Sequence, residues 1–245
     1  MDVSSVIFKL FSSEQIYPLP LFEKTGKVYS FINPYGYHLL RKNYGLYDRL
    51  DGLYVDGILM CVLCKMLYGL KISRRSFDNT TVAKDLFAYL STTGKTVHFV
   101  GAKRNEIEKA IEEYKKNYPQ MHISGFRSGY FLSDRDYRDC IYNILIQKPD
   151  FVVVGMGAIL QEKFLLDLKD AGFEGIGFTC GGFIRQSSNG INYFPKWIDK
   201  YHLRSFYRLY KEKETRKRLY NVLIQYPFLF LYDRFFYIKS KKNLM

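Results

Sequence analysis

An aspartate and a glycine-containing turn are the features of this sequence whose residue types and spacing best suit chemistry on a substrate. Asp56 follows the apolar run 53–55 and precedes Gly57. A carboxylate at the end of a buried strand is a general-base candidate, because partial burial raises a carboxyl pKa toward the range that a base needs. The same side chain could instead cap a helix that begins at Ile58, and the sequence leaves both interpretations open.

The glycine-containing turn has the sequence GMGA at 155–158 and joins an apolar strand to a predicted helix. Backbone N–H groups at a helix start attract anions, and glycines let an anion come close. The turn lacks the third glycine of the dinucleotide-binding fingerprint and the lysine of a P-loop. Gln161 and Glu162 follow in the first turns of the helix, where they either reach a ligand or complement the helix dipole. A phosphate site and a turn without a ligand both fit this pattern.

The candidates for a metal or redox site are weak. Cys61 and Cys64 form a single pair inside an apolar helix without a second pair or a nearby histidine, so buried thiols explain them best. Asp134 and Asp136 have the spacing of the acidic metal motif of many sugar-nucleotide enzymes. They lie at a predicted helix start, however, where capping explains them. We therefore expect no metal ion and no bound cofactor.

The elements that must position these residues are short apolar strands that alternate with helices. Strands are predicted at 96–100, 122–125, 151–154 and 175–179, and helices at 105–117, at 134–147 and after the turn through Lys169. Apolar strands without alternation are typical of a parallel sheet covered by helices on both faces. Ligands of such sheets bind beyond the carboxyl ends of the strands, where most glycines of this region lie. The predicted fold is α/β, a Rossmann-like parallel sheet.

The chain is predicted to have three parts. Residues 1–95 form a smaller N-terminal lobe that carries Asp56, with strands at 28–32 and 53–55 and helices at 35–44, 58–68 and 82–91. Residues 96–195 form the parallel β/α lobe, and no linker separates it from the first lobe. Residues 196–245 form a basic, aromatic appendage with a helical pattern that Pro227 is expected to break.

Charge is concentrated in this appendage. The 245 residues contain 37 Lys and Arg against 24 Asp and Glu, a formal charge of +13, and 47% hydrophobic residues, which excludes a disordered chain. Residues 196–245 alone carry +9, because thirteen basic residues stand against four acidic ones. Such a segment favours phosphate-bearing partners, which are nucleic acid, anionic lipid or a nucleotide diphosphate.

The apolar stretches predict no membrane span. The longest, 58–70, has 13 residues and contains Lys65, whereas a span needs about 20. The N-terminus lacks the features of a secretory signal, and four cysteines suit a reducing compartment. We expect a cytoplasmic protein that binds the inner face of the membrane peripherally, with the aromatic rings from Phe228 onward inserted. The alternative is that these rings pack on the protein itself or in a subunit interface.

Several blocks of the sequence together resemble the WecG/TagA/CpsF family of glycosyltransferases, glycosyltransferase family 26. The blocks are INP at 32–34, VDG at 55–57, FVGAK at 99–103, GYF at 129–131, PDFVVVGMGAILQEKF at 149–164, TCGGF at 179–183 and FPKWIDKYHLRSFYRL at 194–209. The resemblance runs from about residue 28 to about residue 218, which is most of the chain.

The resemblance implies an inverting, metal-independent transfer of a sugar from a UDP-sugar to a polyprenyl-diphosphate-linked sugar. Family members act at the cytoplasmic membrane face and build capsule, exopolysaccharide, teichoic acid or common antigen. The family's proposed base matches Asp56, and the glutamine of its Q-E-K block matches Gln161. Its C-terminal appendage brings arginines over the site, and Arg208, Arg216 and Arg218 are the corresponding residues here.

The resemblance extends to a larger set of expected site residues. Those expected to bind the donor are Asn33, Gly101, Lys103, Gly155, Gly157, Gln161, Glu162, Gly181, Gly182 and Gln186. Those expected at the diphosphate or the acceptor are Arg74, Arg208, Arg216 and Arg218. The chain departs from the family pattern at Phe31, at 74–78 and at 184–186, all around the expected donor pocket. Donors of the ManNAc, ManNAcA and glucose types all stay open.

Two functions of other classes compete with the glycosyltransferase. A nucleic-acid-binding protein would also be basic and aromatic, but it would place stacking aromatics on a basic sheet face. A non-catalytic sugar-nucleotide-binding protein would keep the turn at 155–158 without needing Asp56. Because the basic residues collect in a helical tail and the strands look buried on both faces, we expect the enzyme and no nucleic acid. An oligomer is compatible with the sequence.

Overall fold

The computed structural model describes residues 25–190 and 224–234 continuously, together with residues 9, 22, 195, 198, 207, 210 and 216. Its centre is a six-stranded sheet in the order β2-β1-β6-β5-β3-β4, in which every pairing is parallel. The strands are β1 (Lys27–Ile32), β2 (Gly52–Val55), β3 (Thr96–Gly101), β4 (His122–Arg127), β5 (Phe151–Gly155) and β6 (Ile176–Thr179). The predicted Rossmann-like parallel sheet is therefore confirmed.

Helices cover both faces of this sheet. The helices are α1 (Pro34–Leu40), α2 (Tyr44–Asp48), α3 (Ile58–Tyr68), α4 (Val82–Thr93), α5 (Arg104–Asn117), α6 (Asp134–Gln147), α7 (Leu160–Asp170) and α8 (Phe183–Ser187). One hydrophobic core joins the sheet to α4, α5 and α8, and the other joins it to α1, α2, α3, α6 and α7. Among the described residues, no helix is long and apolar enough to cross a membrane.

The sheet runs without a break across the boundary predicted between the two lobes. β1 pairs with β2 on one side and with β6 on the other, so strands from 1–95 and from 96–195 are direct neighbours. Because all strands are parallel, the loops that follow β1 and β2 lie at the same sheet edge as those that follow β5 and β6. This arrangement can bring Asp56 and the turn at 155–158 to one place.

The helix predicted at 35–44 is wrong, because it is two helices. α1 starts with Asn33 as its N-cap, whose side chain accepts a hydrogen bond from Gly36 N–H at 2.8 Å. α1 ends at Leu40, where the Asn43 side chain donates to the Leu39 carbonyl at 2.9 Å. An asparagine side chain that binds a backbone carbonyl competes with the helical hydrogen bond, so the chain turns before α2 begins.

The helix break expected at Pro227 is also wrong, because residues 224–234 are helical across the proline. This C-terminal helical segment buries Tyr226, Phe230 and Asp233, which lie four and three residues apart. Asp233 Oδ2 accepts a hydrogen bond from Tyr37 Oη at 2.6 Å and lies 2.9 Å from Arg41 Nε. Burial of one helical face against α1 stabilises the segment more than the proline disfavours it.

Candidate active site

A cavity of about 770 Å³ lies beyond the carboxyl ends of the strands, at the edge where the sequence predicts a ligand. Loops that follow all six strands contribute to its wall. The lining includes Asn33 after β1, Asp56 after β2, Ala102 after β3, Gly129 after β4, Gly157 after β5 and Gly181 after β6. Backbone turns thus form part of the walls, and N–H groups of such turns suit a ligand rich in oxygen.

Asp56 stands directly after β2, and its backbone N–H donates to the Ile32 carbonyl at 2.8 Å, which fixes it to the neighbouring strand. Its side chain is 27% exposed and lines the cavity. The alternative in which Asp56 caps α3 is wrong, because the N-cap position is Gly57, which adopts a φ of +124°. The carboxylate is therefore placed for contact with a molecule in the cavity.

The Arg74 guanidinium brings positive charge to the same wall. Its Nη2 lies 3.6 Å from Asp56 Oδ1 and 2.6 Å from Asp78 Oδ2. Asp78 also accepts hydrogen bonds from the backbone and side chain of Thr80, at 2.8 and 2.6 Å. Asp78 lines the cavity but was absent from the expected site residues, because nothing in the sequence distinguishes it from a solvated loop carboxylate.

A buried carboxylate, Glu162, holds the floor of the cavity together. Glu162 is 1% exposed and accepts three hydrogen bonds, from Ser30 Oγ at 2.7 Å, Gln161 Nε2 at 3.0 Å and Ile159 N–H at 2.6 Å. Thr179 Oγ1 extends the network by donating to Ser30 Oγ at 2.9 Å. Burial raises the pKa of the Glu162 carboxyl. Glu162 does more than complement the dipole of α7, because it is buried and also accepts a hydrogen bond from Ser30 of β1.

Gln161 connects this floor to the loop after β6. Its Oε1 accepts a hydrogen bond from Gly181 N–H at 3.1 Å, while its Nε2 donates to Glu162. The bond from Ile159 N–H to Glu162 holds Ile159 at a φ of +76°, a conformation that is strained for a β-branched residue. Gln161 therefore ties the helix that follows the β5 turn to the loop after β6.

The glycines at the ends of β3 and β5 are needed for packing. A Cβ on Gly101 would lie 2.5 Å from the Gly155 carbonyl oxygen, so the two strand ends can approach only because this side chain is missing. We expected these glycines to let a ligand come close. The close contact between the two strand ends is sufficient to explain the glycine at position 101. Gly157 differs, because a Cβ there would meet no atom within 4 Å, and its φ of +84° is what favours glycine.

The other expected residues divide into three groups. Asn33, Gly155, Gly157, Gly182 and Gln186 line the cavity together with the residues described above. Gly101 and Lys103 are not among the lining residues, and Lys103 is exposed with its backbone N–H bound to Glu106 Oε2 at 2.8 Å. Arg216 is exposed and donates to the Tyr210 carbonyl at 3.0 Å, whereas Arg208 and Arg218 lie outside the described residues.

The remaining motifs have structural explanations. Ser133 caps α6, and Asp136 accepts hydrogen bonds from Leu132 N–H at 2.9 Å and Arg127 Nη2 at 2.8 Å, as the capping interpretation predicted. Cys61 and Cys64 are buried free thiols, and burial raises the pKa of Cys64 to about 12. Within the described part of the chain, no group of three or more metal-ligating side chains is clustered. Metal independence stays a prediction.

The aromatic residues that made nucleic-acid binding a competing function fill the core. The largest fully buried side chains in the described residues are all Tyr or Phe, including Tyr54, Phe99 and Phe178. Because helices cover both sheet faces, these rings form no open stacking surface. The high content of aromatic residues, which favoured nucleic-acid binding, is therefore explained in the described residues by packing in the core.

Comparison with known proteins agrees with this geometry. The family model described as "Glycosyl transferase WecG/TagA/CpsF family" matches residues 19–240. The chain is 37% identical over 203 residues, 83% of each protein, to a UDP-Gal:alpha-D-GlcNAc-diphosphoundecaprenol beta-1,4-galactosyltransferase of Shigella boydii. It is 26% identical over 204 residues, 82% of this chain and 77% of the other, to an N-acetylglucosaminyldiphosphoundecaprenol N-acetyl-beta-D-mannosaminyltransferase of Bacillus subtilis (strain 168). The chain is therefore a glycosyltransferase and belongs to the WecG/TagA/CpsF family.

Proposed function

We propose that this enzyme transfers a hexose from a UDP-sugar to a sugar carried on a polyprenyl diphosphate, with inversion at the anomeric carbon and without a metal ion. The observation that carries the proposal is that Asp56 lines the same cavity as the backbone turns after β5 and β6. The names of the two relatives support the acceptor class, because both act on N-acetylglucosamine linked to diphosphoundecaprenol. The product would serve the synthesis of a cell-surface polysaccharide.

The proposed reaction is a single displacement. The UDP diphosphate is proposed to lie along the turn 155–158 and beside Gly182, where backbone N–H groups would stabilise its negative charge. Asp56 removes the proton from an acceptor hydroxyl, and that oxygen attacks the anomeric carbon from the side opposite UDP. The new C–O bond forms as the bond to the UDP oxygen breaks, and UDP leaves as the anion.

Cationic side chains complete the proposed diphosphate site. Arg74 lines the cavity and is the described cation nearest to Asp56 in the contacts given above. We propose that Arg208, Arg216 and Arg218 of the appendage contribute further positive charge, as the family resemblance implies. Guanidinium groups that meet developing negative charge in a partly enclosed site would take the part that Mg²⁺ takes in other transferases.

The sugar donor is proposed to be UDP-galactose, with donors of the ManNAc, ManNAcA and glucose types as the competing candidates. The relative with 37% identity is named for UDP-Gal, whereas the relative with 26% identity is named for N-acetylmannosamine transfer. The departures from the family pattern at Phe31 and at 184–186 lie in residues that line the cavity, apart from Ile184. They therefore support a donor other than the N-acetylmannosamine one.

We propose that the enzyme meets its lipid-linked acceptor by binding the cytoplasmic face of the membrane through its basic appendage. Phe228 and Tyr232 of the C-terminal helical segment are 72% and 55% exposed and can insert at the interface. The expectation that all rings from Phe228 onward insert is wrong for Phe230, because Phe230 is fully buried against Tyr37 and Tyr226. The segment would thus contribute one face to the protein and one to the bilayer.

A transfer assay tests the proposed function. The purified full chain is incubated with each of a panel of UDP-sugars and a short-chain lipid-diphosphate N-acetylglucosamine, and the product is identified by mass and linkage analysis. We expect one UDP-hexose to give a β-linked disaccharide and stoichiometric UDP. Binding of UDP-sugars without transfer to this acceptor would instead support a non-catalytic sugar-nucleotide-binding protein.

A further inference from the structure

Tyr47 on α2 is a fully buried tyrosine that lines the cavity. Its hydroxyl is enclosed, yet it has no hydrogen-bond partner among the described residues. A buried hydroxyl without a partner costs free energy that a phenylalanine would avoid. A ligand group that supplies the missing partner would explain why a tyrosine, rather than a phenylalanine, suits this wall of the cavity.

The surroundings of Tyr47 determine which kind of ligand group fits. Burial and the nearby Glu162 carboxylate raise the pKa of the Tyr47 hydroxyl, so it stays a neutral group that can donate and accept. The Glu162 carboxylate accepts hydrogen bonds from Ser30, Gln161, Ile159 and its own backbone N–H, so its acceptor positions are already used. The Tyr47 hydroxyl is the group of this pair that still lacks a partner among the described residues.

Electrostatics at this floor disfavour a phosphate. The side chains that contact Glu162 are the neutral Ser30 and Gln161, and no cation contacts the carboxylate within the described residues. A negatively charged phosphate would be repelled by the nearby Glu162, whereas an uncharged sugar hydroxyl can exchange a hydrogen bond with the Tyr47 hydroxyl. The diphosphate then belongs to the wall that carries Arg74 and the backbone turns.

We propose that the Tyr47 hydroxyl forms a subsite for one hydroxyl group of a substrate hexose. The subsite lies on the cavity floor, where the Glu162 network already fixes the loops after β5 and β6. This inference rests on the proposed function, because it assumes that a hexose enters the cavity. The hexose is either the donor sugar or the acceptor sugar, and separate measurements distinguish the two.

The test compares two tyrosine substitutions that each remove a single buried hydroxyl. Tyr47→Phe removes the hydroxyl at the cavity, and Tyr226→Phe removes one that also has no partner among the described residues but lies in the core beside Tyr37, outside the cavity lining. Calorimetric titration measures the binding of UDP-galactose and of UDP to the full chain and to both variants. The KM for the lipid-linked acceptor and the thermal midpoint are measured in parallel.

We expect Tyr47→Phe to weaken either UDP-galactose binding or the acceptor KM by about tenfold, the scale of one lost hydrogen bond to a substrate. UDP binding stays unchanged, because the subsite contacts the sugar. Tyr226→Phe changes neither, and both variants keep or raise the thermal midpoint. A change in UDP-galactose binding assigns the donor hexose, and a change in the acceptor KM assigns the acceptor hexose.

Two results would overturn the subsite. Unchanged donor binding and unchanged acceptor KM in Tyr47→Phe would show that no substrate group meets the hydroxyl. A lower thermal midpoint in Tyr47→Phe alone would show that the hydroxyl has a protein partner. Failure of the proposed function looks different, because the unsubstituted protein would then transfer no UDP-hexose of the panel to the acceptor.

Discussion

The Arg74 guanidinium lies between two carboxylates and contacts them unequally, at 2.6 Å from Asp78 and 3.6 Å from Asp56. The closer carboxylate holds Arg74 in place, so the longer contact leaves Asp56 available to a substrate hydroxyl. We therefore propose that Asp78 positions the Arg74 guanidinium at the wall of the cavity.

Replacement of Asp56 by asparagine tests the proposed base. We expect Asp56→Asn to keep the fold and UDP binding and to reduce turnover by roughly 10²-fold or more, because an amide cannot take the acceptor proton. Steady-state transfer kinetics and UDP titration measure the two effects. Asp139→Asn removes an exposed carboxylate of α6 and should leave both unchanged. Turnover near that of the unsubstituted protein in Asp56→Asn would remove this residue from the mechanism.

Replacement of Glu162 by glutamine tests the effect of its burial on stability. Burial raises the pKa of Glu162 above its ordinary value of 4.5, so the folded state holds this proton more tightly than the unfolded chain does. The contribution to stability is complete below pH 4.5 and is lost as the pH rises through the folded-state pKa. The glutamine of Glu162→Gln does not titrate. The difference in free energy of unfolding, wild type minus variant, should therefore decrease as the pH rises through the folded-state pKa of Glu162.

Urea unfolding at a series of pH values measures this difference. Asp51, Asp136 and Asp150 have lowered pKa values, and their contributions are lost as the pH falls. Both proteins contain these residues, so their effects cancel in the difference. A difference that stays constant from pH 4.5 to neutrality would show that Glu162 has no raised pKa in the folded state.

The C-terminal helical segment, residues 224–234, presents two faces with different surroundings. Tyr226, Phe230 and Asp233 are buried, and Tyr68 Oη lies 3.5 Å from the Phe230 carbonyl oxygen. Ile224, Phe228, Leu231 and Tyr232 are exposed. Truncation before this segment would remove both faces and leave a hole in the core. Point substitutions on the exposed face are therefore the sharper test of membrane binding.

Paired serine substitutions at Phe228 and Tyr232 should weaken binding to anionic vesicles by roughly tenfold or more, because two rings no longer leave water. Sedimentation with anionic and with neutral vesicles measures this, and added salt should weaken the binding by screening the basic residues. The matched control replaces Tyr142 and Ile146 by serine, an exposed apolar pair on α6 with the same spacing. Equal binding by both double variants would contradict attachment through the C-terminal helical segment.

At the scale of the whole molecule, the order of the strands in the sheet creates the candidate active-site cavity. The loops that carry Asn33 and Asp56 are more than a hundred residues from those that carry Gly157 and Gly181, yet β1 and β6 are adjacent in the sheet. Loops from both halves of the chain thus line one cavity. A proposed leaving diphosphate would meet guanidinium and N–H groups from both halves of the chain.

Chelation tests the proposed absence of a metal. Transfer activity should persist in EDTA, because the proposed stabilisation of the leaving UDP uses arginines and backbone N–H groups of the chain itself. The assay compares initial rates with and without EDTA, and then with added Mg²⁺ or Mn²⁺. Complete loss in EDTA that either ion restores would contradict the proposal and return attention to Asp134 and Asp136.

Local pattern was sufficient to determine most of the elements and their order. The helices at 58–68 and 134–147 were predicted with the bounds that the structure has, because Gly69 ends the first and Ser133 caps the second. The apolar strand at β5 and the glycines after β5 and β6 predicted a parallel sheet with a site at its carboxyl edge. The family resemblance added Asp56 and Gln161, and both line the cavity.

Only the tertiary structure decided which residues meet across the sheet and which sides of the elements are buried. Ser30 contacts Glu162 and Thr179 contacts Ser30 because β1, β6 and α7 are neighbours, a long-range arrangement that local periodicity does not carry. The continuation of the C-terminal helix through Pro227 depends on burial against α1. Local propensity is weaker than such packing, so the sequence by itself favoured a break where the fold keeps a helix.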